Sequence, residues 1–218
     1  MQTSIGSLYL QRFITKTANV SISGITEVSE IVQMVSQCLG SVSKMMAEIE
    51  LKKILDPCCG SKMFWFDKHE PHTVYCDKRR VQRFEYYPGR YLEVAPDVQC
   101  DFRHLPFQDE TFYHVVFDPP HLLHLGKKSW TFIKYGALDS TWGDMLHDGF
   151  DECWRVLKTN GTLIFKWSSV QIPLSEVLQV IRHNPLYGNR SGKHMTTHWL
   201  AFVKFEDDES ERKDIDLF

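Results

Sequence analysis

The chain has 218 residues, 43% of them hydrophobic and 24% charged, with a formal net charge of −3. That length and apolar content suffice for a packed core of two or three layers, which excludes a fibrous or wholly disordered chain. Six cysteines occur without metal-ligand spacing and without a Cys-x-x-Cys pair, which argues for reduced thiols and against a zinc module or a disulfide scaffold. The start of the sequence lacks a basic segment followed by an apolar core, and no run reaches the ~18 apolar residues of a membrane helix. The expectation is therefore a soluble, cytoplasmic protein with no membrane partner and no bound metal.

In chain order, residues 1–24 are rich in Ser, Thr and Ile without periodicity and read as an extended arm. From Ile25 to Glu50, apolar residues including Val28, Ile31, Val35, Leu39, Val42, Met46 and Ile49 recur every three or four positions. That is the spacing of one or two amphipathic helices, with Gly40-Ser41 as a break. Short apolar runs follow at Lys53–Leu55, Thr73–Cys76, Val98–Cys100, His114–Phe117, Thr162–Trp167 and His198–Phe205, each with the character of a strand buried on both faces. Thr141–Leu157 places Trp142, Leu146, Phe150, Cys153 and Leu157 on one helical face, and Asn160-Gly161 closes it. Pro173–Arg182 reads as a further helix with proline in its first turn. Alternation at this spacing predicts a mostly parallel sheet with helices on both faces. Residues 1–50 form an N-terminal arm and helix region, 51–205 the main domain, and 206–218 an acidic tail expected to be disordered. The tail sets seven acids against two bases, net −5, and leaves +2 on the rest of the chain. Arg182–Lys204 contains Arg182, Arg190, Lys193, Lys204 and three histidines with no acid, a patch compatible with nucleic acid and equally with a solvated loop.

Two strand ends carry the chemistry. Ile54-Leu55-Asp56-Pro57-Cys58-Cys59-Gly60-Ser61 and Phe117-Asp118-Pro119-Pro120-His121 are apolar runs stopping at Asp-Pro. Such acids point into the crevice beyond the strand ends, where open α/β sheets bind ligands. At the first, Gly60 permits a tight turn and close backbone approach, and the helix expected behind it would offer free N–H groups. Asp77 ends the next strand, about twenty residues past the turn, where an acid accepts from ribose hydroxyls. Asp101 ends the third and is placed to accept from an adenine amino group. Neither Gly-x-Gly-x-x-Gly nor a phosphate-binding Gly-rich loop is present, so the three acids outline a nucleoside site.

Residues 51–167 resemble class I S-adenosylmethionine-dependent methyltransferases. The Asp56–Ser61 turn is similar to the Asp-Pro-Phe-x-Gly-Ser-Gly motif of those that methylate base amines, and Asp118-Pro119-Pro120-His121 to their Asp-Pro-Pro-Tyr motif. The resemblance implies a Rossmann-like fold with a mostly parallel seven-stranded sheet, and S-adenosylmethionine as cofactor. It implies that Asp56 and Gly60, with Pro57 and Cys58 in the same turn, line its methionine end. Asp77 would hold the ribose, Asp101 would meet the adenine, and Phe102 would pack on it within a stretch similar to the family's Asp-x-x-x-Leu-Pro-Phe. Two positions depart from the family: Lys62 replaces a second glycine, and His121 replaces the aromatic residue.

A base amine is a poor nucleophile because its lone pair is delocalised. The Asp118 carboxylate and the Pro119 carbonyl would hold its two N–H bonds, with Pro120 stiffening the backbone. Positioning the amine removes an entropic barrier of roughly 7–11 kcal/mol at best. His121 would stack on the base or accept its proton. Lys127, Lys128, Trp130, Lys134 and Tyr135, in a loop of about twenty residues before the helix at 141, interleave charges and rings as a contact for an unpaired base and phosphate requires. Lys166 and Trp167 end a strand on the same side as Asp118. The expected acceptor is an exocyclic amine, adenine first, in DNA or RNA. A protein amide, a small molecule, or a silent cofactor-binding role are the alternatives.

Overall fold

A computed structural model describes residues 33–41, 43–44, 52–126 and 129–206. Met1–Leu51 and Lys52–Phe218 form two compact units. In the first, residues 33–41 and 43–44 are helical, and Val35 and Leu39 of the expected apolar face are exposed. The remainder of that expected helix, the arm at 1–24 and all but Glu206 of the acidic tail lie outside the described residues.

The second unit is built on a seven-stranded sheet. Its strands in chain order are β1 (Ile54–Asp56), β2 (Thr73–Asp77), β5 (Val98–Gln99), β6 (Phe112–Phe117), β7 (Leu157–Ser168), β8 (Tyr187–Ser191) and β9 (Thr197–Val203). The spatial order is β5-β2-β1-β6-β7-β9-β8, and only β9 runs against the rest. This is the mostly parallel Rossmann-like sheet expected from the sequence. All five residues of β2 are buried, which explains why it reads as a continuous apolar run rather than an alternating one.

The helices cluster on one half. After β6 come α1 (Trp130–Tyr135) and α2 (Trp142–Val156), and after β7 comes α3 (Leu174–Ile181). Ser129 caps α1 by accepting from the Phe132 N–H at 3.2 Å, and Gly136, at φ 75°, ends it. The predicted face of α2 is the buried one, with Leu146, Phe150 and Cys153 all inside. Phe150 packs edge-on against Phe165 of β7 and Phe202 of β9, with ring centres 6.1 and 5.0 Å apart. Trp167 is fully buried and its indole N–H donates to the Ile172 carbonyl at 3.1 Å.

The other half differs from expectation. The chain from Pro57 to His72 makes turns, so the helix predicted behind the first strand end is not formed among the described residues. Between β2 and β5 stands an unpredicted hairpin of β3 (Val81–Tyr87) and β4 (Arg90–Val94), turned by Pro88-Gly89. β8 was also unpredicted: Gly188, Asn189 and Arg190 give it little strand character, and it survives as an edge paired to β9.

Candidate active site

Register decides which strand-end acids reach the crevice. Asp56 lies opposite Tyr75 of β2, and the pairing of Leu55 with Val115 sets it beside Val116 of β6. Asp77 and Asp118 each stand two residues further along their strands, about 6–7 Å at the usual rise per residue. Asp56 is consequently fully buried, accepting from the Trp65 indole N–H at 2.8 Å and the Cys58 N–H at 3.3 Å. Burial, reinforced by the Asp118 and Asp77 charges against these two hydrogen bonds, raises its pKa from 3.8 to about 7. Of the two acids flanking the first Asp-Pro turn, Asp77 faces the cleft and Asp56 braces it from behind. Asp56, expected at the methionine end, does not line the cleft.

One cleft collects most of the remaining candidates. Cys58, Gly60, Asp77 and Phe102 line one side, and Asp118, Pro119, Pro120, His121 and Tyr135 the other. Pro57, Asp101, Trp130, Lys166 and Trp167 do not line it, and Lys127 and Lys128 lie outside the described residues. The Cys58 thiol is pushed up by burial and by the nearby Asp56 and Asp118 charges, so it is protonated and offers no thiolate.

The turn at the first strand end is closed without its second glycine. Lys62 adopts φ 54°, the left-handed region that glycine enters freely, while Gly60 sits at φ 50°. The Lys62 side chain is buried, its ammonium 3.6 Å from the centre of the Tyr75 ring and 3.0 Å from the Lys68 carbonyl it donates to. A cation over a ring and a hydrogen bond offset the backbone strain. The turn therefore keeps a glycine-like shape with a lysine in it. Gly60 donates its N–H to Asp77 at 3.0 Å.

Sequence reasoning missed Arg79. Its backbone N–H and guanidinium hold both oxygens of Asp77, at 2.8, 3.2 and 3.3 Å, and the same guanidinium donates to the Ile133 and Lys134 carbonyls of α1, each at 3.3 Å. Asp101 is held in the same way by Arg103 at 3.0 and 2.8 Å, and this hydrogen-bonded arginine lowers its pKa. The signal was present as a repeated Asp-x-Arg at two successive strand ends, Asp77-Lys78-Arg79 and Asp101-Phe102-Arg103. Phe102 is buried beneath the cleft wall, 5.3 Å edge-on from Phe117. Its place depends on Gly149 of α2, where an added Cβ would lie 2.5 Å from the Phe102 ring.

At the second strand end, pairing of Phe117 with Phe165 brings the next residues, Asp118 and Lys166, side by side. They form an ion pair of 2.5 Å, largely sheltered from solvent. Lys166 thus reaches the site through Asp118, with Phe64 and Trp199 rings flanking its ammonium at 5.9 and 5.6 Å. His121 stands 6.5 Å from the Tyr135 ring and 6.1 Å from Trp167, so the buried Trp167, expected as a substrate contact, backs it from the core. Its Nδ1 is buried with no hydrogen-bond partner. Burial lowers the His121 pKa, with Asp118 and the Pro119 carbonyl opposing and Lys166 lowering it further, so the imidazole is neutral at pH 7.

No family model matches this chain, and no curated protein matches its sequence. Among solved structures it is similar to the PH0226 protein of Pyrococcus horikoshii OT3, at 15% identity over 88% of this chain and 98% of that one, TM-score 0.44. It is also similar to the 1,6-didemethyltoxoflavin-N1-methyltransferase of Burkholderia thailandensis, at 14% identity over 84% and 92% of the two chains, TM-score 0.43. A third is a SAM dependent methyltransferase from Aquifex aeolicus, at 14% identity over 73% and 87%, TM-score 0.39. The fold assignment rests on this chain's own strand order and directions.

Proposed function

We propose that the chain is an S-adenosylmethionine-dependent methyltransferase acting on an exocyclic base amine, adenine first, in DNA or RNA. The observation that supports it is the meeting of Gly60, Asp77 and Phe102 with Asp118-Pro119-Pro120-His121 in one cleft beyond the strand ends. These residues fit the cofactor: Asp77 for ribose hydroxyls, the Phe102 ring for adenine, and the Gly60 turn for the methionine end. Bound there, S-adenosylmethionine would supply an electrophilic methyl carbon.

The chain's own part is positioning. Lys166 on one Asp118 oxygen fixes the direction of the carboxylate, leaving the other oxygen to accept from the amine. The Pro119 carbonyl, on a backbone stiffened by Pro120, would take the second N–H. His121, neutral and with an unpartnered Nδ1, would receive the proton released after transfer. Labelled methyl donor is incubated with separate DNA, RNA and protein pools, followed by nucleoside mass spectrometry. Label on N6-methyladenine or another base amine is expected. Label in protein alone, or binding of the donor without transfer to any pool, overturns the reading in favour of a protein acceptor or a silent binding protein.

A further inference from the structure

The hairpin between β2 and β5 has two unlike sides. Leu92 and Val94 are buried and anchor it, whereas Phe84, Tyr87 and Tyr91 are exposed. Two rings of the hairpin are paired with cations: the Arg83 guanidinium lies 4.4 Å from the exposed Tyr91, and Lys134 of α1 4.7 Å from the half-buried Tyr86. Tyr86 also meets Trp130 of α1, ring centres 5.0 Å apart. Between this hairpin and the turns at 60–69 runs a second groove of about 480 Å³, within the roughly 300–1,000 Å³ of small-ligand clefts. Lys68, His69, Arg83, Tyr86, Tyr91 and Lys134 line it, and Glu93 is the sole acid among its lining residues. The groove shares Gly60, Ser61, Met63 and Lys134 with the candidate active-site cleft, so a chain lying in it leads into that cleft.

We propose that this groove binds the single-stranded nucleic-acid segment flanking the target base, with Tyr86 and Tyr91 as stacking platforms and Arg83, Lys68 and Lys134 on the phosphates. The inference rests on the nucleic-acid reading above and adds to it the strandedness and the contact surface. Rings lining a groove beside cations serve unstacked bases, which a duplex does not present, and an excess of cations there suits a polyanion. An acidic peptide would use the cations and leave the rings idle.

The test is fluorescence anisotropy of the full chain with labelled single-stranded DNA and RNA oligonucleotides, a duplex of the same sequence, and a poly-glutamate peptide. The single strands are expected to bind more tightly than the duplex or the peptide. Tyr91→Ala should weaken single-strand binding about tenfold without changing its salt dependence. Arg83→Ala should weaken it similarly and reduce the slope of log K against log salt by about 0.7. Lys68→Ala, outside the hairpin and so independent of its folding, should reduce the slope in the same way. S-adenosylmethionine affinity should be unchanged in all three. If methylation of nucleic acid persists with unchanged KM in all three variants, or duplex or peptide binds best, the groove assignment falls while the catalytic reading stands. Label in protein alone, with no oligonucleotide affinity, removes both.

Discussion

The two halves of the sheet solve the same problem by different means. Beside β6, β7 and β9 the connections are helices, and α2 and α3 pack their apolar faces on the strands. Beside β1, β2 and β5 the connections are turns and a hairpin, and side chains do what helix ends would otherwise do. Trp65 satisfies Asp56, Arg79 satisfies Asp77, and Arg103 satisfies Asp101. A strand-end carboxylate needs donors, and where no helix N-terminus supplies them the chain brings its own. The difference teaches that the β1–β2–β5 half holds its strand-end acids by a polar network, while the other half packs helices on its strands.

The largest effect that would test this division is at Asp118. Asp118→Ala should lower methyl transfer about 10²-fold or more while donor affinity stays nearly unchanged, since a misplaced acceptor loses its alignment. Asp77→Ala should do the reverse and weaken donor binding first; calorimetry beside single-turnover kinetics separates the two. Loss of donor binding in the Asp118 variant would merge the halves.

Next is Asp56, whose folded pKa of about 7 exceeds its ordinary value of 3.8. The folded state holds the proton more tightly than the unfolded one. This group's contribution is therefore complete below pH 3.8 and is lost as pH rises through about 7. Stability of the wild type should fall by about 1.4 kcal/mol per pH unit across that window from this group. Asp56→Asn, which keeps the oxygen facing Trp65 and cannot ionise, should flatten the decline between about pH 4 and 7, read from denaturant midpoints.

Gly149→Ala probes the packed half. A methyl group there collides with Phe102, so unfolding free energy should drop by about 1–3 kcal/mol, with weaker donor binding because the ring is displaced. The smallest effect belongs to Arg79→Ala. It removes the guanidinium from both oxygens of Asp77, leaving them the N–H groups of residue 79 and Gly60, and frees two carbonyls of α1, and donor affinity should rise a few-fold. A fall would mean that Arg79 orients Asp77 for the ribose rather than competing with it.

What could be read beforehand follows the same division. The 3.6-residue period of α2 and the apolar runs of β2 and β6 are signals of burial, and burial is where they ended. The strand-end acids were visible, but register was not, so Asp56 could not be told from Asp118 without the pairing of Leu55 with Val115. The hairpin escaped because its charged residues, Arg83, Glu85, Arg90 and Glu93, break any apolar pattern, although Pro88-Gly89 marked its turn. Arg79 escaped because a partner two residues away looks like an ordinary surface charge.

Lys62 has a consequence for how such motifs are written. Glycine in a signature stands for a backbone angle, and this chain attains that angle with a lysine anchored over Tyr75. Lys62→Gly would relax the φ strain and at the same moment release the cation from its ring and from the Lys68 carbonyl. The two changes oppose each other, each on the order of 1 kcal/mol. A substitution to glycine should thus be almost silent in stability, because the lysine's anchorage and the glycine's freedom offset each other.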